Sequence, residues 1–427
     1  MINKAEAGSS VYYELDNGSI IVGERKLDTR TVSLAFAVKG GSADEKDDES
    51  GISHFVEHAL FKGTTTRGAF DLKEPIERVG GGLNAYTSRI STVFYAKVPD
   101  THGQIALEIL EDMIRNPQFS DEDIELEKNV VLEEIATSED DPFDRIYDMT
   151  VMNIWDKDFG RPIQGFASSV ESFTKDTVLD YYGRVYNSGR LMFAIAGNFD
   201  DDLLDGVAAF MESFPSGDRV DCRKSPIMNH RPIYLEEKRN DLQQVHILLS
   251  KQSPGRSLTK DFEAFKIINT LLGSGMSSIL FHEIREKLGL VYQIDSEFVS
   301  YHQNGTLFVS AVTGSKNLEK FLVHLEKELK RLVDHGVTPA QFDYGKERLK
   351  GKLLMSTEGT LQILSREIDE AILCGRPKTV EEMLKTLDEI DRADLNTVLQ
   401  KYVPGKWNCT LLLPQSVEAP KDLVFSI

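Results

Sequence analysis

Apolar and polar positions along the chain change period several times. Val11 to Glu24 alternates on both sides of Asp16-Asn17-Gly18, the pattern of two strands joined by a tight turn. Thr31 to Lys39 (TVSLAFAVK) is an apolar run carrying small residues that stops at Gly40-Gly41, and it predicts a third strand. After the acidic stretch Asp44 to Ser50 the spacing turns helical near Ile52. Val93 to Val98 reads as a strand, Ile105 to Arg115 and Asp121 to Ser138 as helices, and Phe193 to Gly197 (FAIAG) as a buried strand. Strands and helices mixed in this way, with hairpins, predict an α+β layered fold rather than a purely parallel sheet.

The second half repeats the first weakly, at an offset of about 218 residues. Phe119-Ser120-Asp121 opens one helix, and Val337-Thr338-Pro339 opens its counterpart. Asp176 to Tyr186 (DTVLDYYGRVY) is echoed by Asp394 to Val403 (DLNTVLQKYV). Each is followed by an apolar strand, FAIAG in one copy and CTLLL in the other. Between the copies, Pro215 to Pro232 is rich in Pro, Ser and basic residues and lacks periodicity. The expectation is two homologous α/β-layer domains, residues 1–215 and 233–427, each a mostly antiparallel sheet packed with helices, joined by a linker at 216–232.

Composition narrows the function. At 41% apolar and 9% aromatic residues, the 427-residue chain can bury a core and is not disordered. The 69 acidic residues against 49 basic give a net charge of −20, which argues against nucleic acid and anionic lipid as partners. Cys222, Cys374 and Cys409 are odd in number and far apart, so neither a disulfide framework nor a thiolate zinc site is expected. The first residues show neither the apolar core of a signal peptide nor an Arg-rich amphipathic stretch, and no run of 18 apolar residues exists. A cytoplasmic protein with no membrane partner is the expectation.

The strongest local chemistry is His54-Phe55-Val56-Glu57-His58. Residues four apart on a helix share a face, so both imidazoles reach one metal ion, and Glu57 borders that face. Imidazoles plus one carboxylate, with a position open, suit catalytic zinc, and Glu57 is then placed to deprotonate a metal-bound water. Such an HxxEH run also arises by chance, so a third ligand is required. The helix Asp121 to Ser138 offers Glu122, Glu125, Glu127, Glu133 and Glu134. With Val131 at the centre of the apolar stripe, Glu134 and Glu127 fall roughly 60° and 40° from it and Glu133 about 160° away. Phase therefore selects Glu134 as ligand and Glu127 as support behind a ligand, although phase alone equally allows both to edge a solvated helix.

The run GISHFVEHALFKGT (Gly51 to Thr64) resembles the signature of the pitrilysin and mitochondrial processing peptidase family, the inverzincin zinc metallopeptidases. Glu134, seventy-six residues beyond His58 within ELEKNVVLEEI, resembles that family's distant third ligand, and Glu127 its additional glutamate. Gly80 to Ser88 (GGGLNAYTS), FGRPIQG (Phe159 to Gly165), the strand ending Ala196-Gly197-Asn198, Gly273 to Ser278 (GSGMSS) and LFHEIREKLGLVY (Leu280 to Tyr292) resemble further landmarks, so the likeness spans nearly the whole chain. One departure is Ile90, where the family often carries Glu.

The resemblance implies a two-domain, bacterial-type member with the processing-peptidase-like metallohydrolase fold. It implies one Zn²⁺ per chain on His54, His58 and Glu134, with Glu57 as general base. The substrate would be a peptide or unfolded polypeptide segment in an enclosed chamber, lying beside Asn84, Ala85, Tyr86 and Thr87 and near Phe61. Arg285 and Tyr292 would act on the substrate carbonyl, and a homodimer suffices if this pair completes the partner's site. The alternative reading is a non-catalytic structural subunit of the same family. Two other features carry less. GSGMSS lacks the Gly-Lys-Ser/Thr of a phosphate loop, and His246, in an apolar run, reads as a satisfied strand histidine.

Overall fold

The structure is a computed structural model that describes residues 3–7, 10–221, 223–229, 231–420 and 425–427; Cys222 lies outside the described residues. Strands β1 (Asn3–Ala7), β2 (Ser10–Glu14) and β3 (Ile20–Arg25) form a meander in which Gly18, at φ +87°, closes the turn between β2 and β3. With β4 (Thr31–Val38), β5 (Gly82–Thr87), β6 (Thr92–Pro99) and β7 (Leu191–Gly197) they build a seven-stranded sheet of order β1-β2-β3-β7-β4-β6-β5. The FAIAG segment lies in β7, which is buried along its whole length because strands flank both its edges and helices cover both its faces.

Residue size along β4 separates the two faces of the sheet. Val32, Leu34, Phe36 and Val38 enter the main core together with residues of α1 (Ile52–Leu60), α2 (Ala69–Arg78) and α3 (Gly103–Arg115). Alternation turns Ser33, Ala35 and Ala37 to the other face. There the helix Thr360–Cys374 packs closely over β3, β4 and β7, with Ser33 Oγ 2.8 Å from Thr360 Oγ1. Small residues on that side leave room for a helix backbone to approach.

A second sheet contains β8 (Tyr234–Arg239), β9 (Val245–Pro254), β10 (Gln293–Ser300), β11 (Asn304–Thr313) and β12 (Asn408–Pro414), ordered β10-β11-β9-β12-β8. This is the order β5-β6-β4-β7-β3 again. Strand senses repeat too, since β7 and β12 each run parallel to one neighbour and antiparallel to the other. The helices Lys175–Val185 and Arg392–Tyr402 precede β7 and β12, as the sequence repeat predicts.

The expected contiguous halves need correction. The compact units are Met1–Thr137, Arg161–Arg223 and Ser356–Thr379 on one side, and Ser138–Gly160, Lys224–Met355 and Val380–Ile427 on the other. The chain passes between units at Arg223, inside the expected linker, but each half also lends a segment to the other unit. The helix Thr360–Cys374 covers the first sheet. After α4 (Asp121–Asp140), α5 (Pro142–Ile154) packs on β9 and β12. Sequence pattern reports that a helix has an apolar face, not which sheet that face will cover. Between α4 and α5, Asp141 accepts from the N–H groups of Phe143 and Asp144, with Pro142 in the first turn. Among the described residues no helix is long and apolar enough to cross a membrane.

Two glycines set where α1 begins. Gly51, at φ +92°, and Gly165, at φ +80°, pack backbone to backbone. A Cβ on Gly51 would stand 2.3 Å from the Gln164 carbonyl oxygen, and one on Gly165 would stand 2.2 Å from that of Ser50. Both Glu45 carboxylate oxygens accept N–H groups at the start of α1, from Gly51 and Ser53, each at 2.9 Å. Gly51→Ala and Gly165→Ala combine a left-handed backbone with a backbone clash, a cost of about 2–4 kcal/mol. Each is expected to lower the thermal unfolding midpoint by roughly 5–10 °C, checked by calorimetry.

Candidate metal centre

Helix α1 is nine residues long and brings His54 and His58 onto one face, with ring centroids 4.5 Å apart. Facing them, α4 presents Glu134, whose Oε2 lies 3.7 Å from His54 Nε2 and 3.5 Å from His58 Nε2. These three side chains form the only group of potential metal-holding residues among the described residues. Tetrahedral ligands at zinc-like bond lengths of about 2.0–2.1 Å stand roughly 3.3 Å apart, so both carboxylate-to-imidazole distances match a zinc-sized ion within a few tenths of an ångström. The imidazoles are mostly buried, whereas the Glu134 side chain is 40% exposed, which leaves the centre open toward solvent.

Behind the ring of His58 stands Glu127. Its Oε1 is 2.7 Å from His58 Nδ1, and its Oε2 pairs with the Lys62 ammonium. Glu127 sits two turns before Glu134 and is buried, while Glu133 is exposed, in line with the helical phase. A carboxylate on the far nitrogen fixes ring orientation and leaves Nε2 free to ligate. His54 has no such partner: its buried Nδ1 makes no hydrogen bond.

The electrostatics follow from burial among crowded groups. Burial, and then the neighbouring His58, push the His54 imidazole down to about 3, so it is neutral at any ordinary pH. Burial also disfavours charge on His58, but the Glu127 hydrogen bond and the carboxylates of Glu134, Glu127 and Glu57 outweigh it and raise the value. Burial raises the Glu57 carboxyl above the usual range, and Glu134 adds to this. The Thr87 hydrogen bond and His58 oppose it. Thr87 Oγ1 donates to Glu57 Oε2 at 2.5 Å, tying the carboxylate to the end of β5.

The other expected site residues fall as follows. Asn84, Ala85, Tyr86 and Thr87 all lie on β5, at the edge of the first sheet. Phe61 caps the end of α1 and packs against the core, its ring centroid 6.3 Å from that of Phe94. Ile90 is buried just beyond β5. In the second unit, Arg285 belongs to a single π-helical turn, Phe281–Glu286, that gives way to Gly289 at φ +58°. The Arg285 guanidinium lies 5.8 Å from the Tyr292 ring centre, and Tyr292 is 71% exposed. His246 stands on β9 edge-on to Phe143, but its buried Nδ1 makes no hydrogen bond, so it is a packed histidine rather than a satisfied one. His230, which has no partner at metal spacing in the sequence, lies outside the described residues. Sequence reasoning missed Lys62 and Glu45; the one available signal was that Lys62 follows His58 by one helical turn.

Known proteins resemble this chain over nearly its whole length. The family model described as Insulinase (Peptidase family M16) matches residues 20–165, and that described as Peptidase M16 inactive domain matches residues 172–349. The chain is 30% identical over 403 residues to YmxG, an uncharacterized zinc protease of Bacillus subtilis, spanning 94% of this chain and 98% of that one. It is 33% identical over 407 residues to ML0855, an uncharacterized zinc protease of Mycobacterium leprae, spanning 94% and 91%. A Helicobacter pylori protease shares the fold with a TM-score of 0.83 at 20% identity, over 94% of this chain and 99% of that one. A Pseudomonas fluorescens peptidase M16 inactive domain does so with a TM-score of 0.86 at 17% identity, over 96% and 100%. Two sheets of repeated strand order and one His–His–Glu cluster thus define the class, a two-domain α+β protein of metallopeptidase architecture. Within that class the chain belongs to peptidase family M16, the insulinase family.

Removing Glu127 leaves the His58 ring and the Lys62 ammonium without their shared partner. Glu127→Ala is expected to cost about 1–3 kcal/mol, seen as a lower unfolding midpoint of the metal-free protein.

Proposed function

We propose that this protein is a zinc-dependent endopeptidase that hydrolyses peptides or unfolded polypeptide segments. The observation that carries this reading is the convergence of His54, His58 and Glu134 beside the buried carboxylate of Glu57. A divalent cation held by the three side chains would supply Lewis acidity, polarising the scissile carbonyl and acidifying water. Glu57 takes a proton from the attacking water and returns it to the leaving amine as the C–N bond breaks. Its raised proton affinity favours the first of these tasks, and Thr87 holds the carboxylate in place. Glu127 keeps His58 oriented. The substrate lies extended and pairs its backbone with the free edge of β5.

The same reading includes a homodimer in which Arg285 and Tyr292 of one copy serve the metal site of the other. Their donors would meet the carbonyl oxygen as negative charge builds on it. The exposure of Tyr292 beside the guanidinium supports this role. The matched region whose description carries the word inactive, residues 172–349, lies outside the segment holding His54, His58 and Glu134. The non-catalytic alternative therefore gains nothing from it.

Glu57→Gln is expected to retain zinc, measured by atomic spectrometry, while peptide turnover falls by about 10²–10⁴-fold; unchanged turnover overturns the role of Glu57. Mixing Glu57→Gln chains with Tyr292→Phe chains is expected to recover activity that neither has alone. Failure to recover it in mixed dimers contradicts the shared site.

A further inference from the structure

Strand β5 ends its sheet, and the two faces of that edge differ. Leu83 and Ala85 pack toward the main core, and Thr87 meets Glu57. Alternation turns Asn84 and Tyr86 to the opposite face. On that face lies a cavity of about 220 Å³. Tyr86, Val93 and Tyr95 form its sheet wall, and Leu361, Leu364 and Ile368 form its wall on the helix Thr360–Cys374. The helix residues recur every three or four positions, which puts one apolar stripe along the cavity. Register places Tyr86 opposite Val93 and Asn84 opposite Tyr95, and the two tyrosine rings stand 6.3 Å apart.

We propose that this cavity receives a large apolar side chain of the substrate, projecting from a peptide strand added to the edge of β5; the proposal rests on the peptidase reading above. A strand paired with β5 must send alternate side chains to opposite faces. One set points to the Glu57 side, and the other passes Tyr86 into the cavity. Tyr86 neighbours Thr87, whose hydroxyl holds Glu57, so the selected residue lies within about two residues, or ~7 Å, of the cleaved bond. An apolar cavity of ~150 Å³ is enough to hold benzene, so this volume takes Leu, Met or Phe. Alanine leaves the cavity unfilled, and Asp or Arg brings charge against hydrocarbon. Further along β5 the same face opens into a wider space lined by Gly80, Gly81, Gly82, Asn84 and Lys97. A Cβ on Gly82 would meet nothing within 4 Å. Val98, Pro99 and Leu361 line that space too, but at about 530 Å³ it is too wide to grip one side chain, so the narrower cavity beside Tyr86 is the one that selects.

The test uses short fluorescent peptides that carry Leu, Phe, Ala, Asp or Arg at one position at a time. They are titrated onto zinc-loaded Glu57→Gln protein, and hydrolysis by the unsubstituted protein is followed in parallel. At one position, Leu and Phe are expected to bind about 10–100-fold more tightly than Ala, with Asp and Arg no tighter than Ala. Ser365 lines the cavity from an exposed position, so Ser365→Trp fills it from the rim and brings the Leu-to-Ala ratio close to one. Leu361→Phe is the second filling variant should the first misfold. Equal affinities, a preference for Arg, or a Leu preference that survives both fillings overturns the cavity assignment. Selective binding of Leu without hydrolysis by the unsubstituted protein overturns the peptidase reading and leaves the cavity assignment standing.

Discussion

Two imidazoles 4.5 Å apart, largely out of water, cannot both carry a proton cheaply, yet three carboxylates crowd around them. Glu57, Glu127 and Glu134 surround the pair with carboxylates, and the Lys62 ammonium pairs with one of them, Glu127. A divalent cation held by His54, His58 and Glu134 would offset much of the remaining negative charge. The surrounding structure holds this arrangement in register. Glycine-to-glycine packing at Gly51 and Gly165 sets where α1 begins, Glu45 caps it, and the seven-residue step from Glu127 to Glu134 lets one helix act on both sides of the His58 ring.

The repeated strand order shows one scaffold used for two purposes. In the first unit, the helix that follows β4 carries the histidines. In the second unit the long helix Thr259–Leu272 is almost wholly apolar on its buried side and has no histidine at all. The second unit instead displays Arg285 and Tyr292 at a turn and on exposed surface. Duplication followed by divergence of polar groups accounts for a repeat that is clear in topology and faint in sequence.

How much was legible in the sequence depended on the range of the interaction. The HxxEH pair needed only helical spacing, and Asp141-Pro142 announced its helix boundary through local capping chemistry. Glu134 and Glu127 needed helical phase, which ranks the faces of one helix but does not say what lies across from them; the family resemblance supplied that. Contacts between distant elements left no local trace. The Thr87–Glu57 hydrogen bond joins a strand to a helix, and the Lys62–Glu127 pair crosses from the turn after α1 to α4. The exchange of segments between units was invisible for the same reason, because an amphipathic helix reads identically whichever sheet it covers. The apolar cavity beside Tyr86 depends on that exchange, since its helix wall comes from a segment far along the chain.

Two imidazole nitrogens and one carboxylate oxygen are expected to share a single ion. X-ray absorption at the zinc edge of the loaded protein reads this directly. One zinc per chain is expected, with only nitrogen and oxygen neighbours at about 2.0–2.2 Å, two of them imidazole, and with loss of that signal in His54→Ala. A sulfur neighbour near ~2.3 Å, or an unchanged spectrum in His54→Ala, contradicts it.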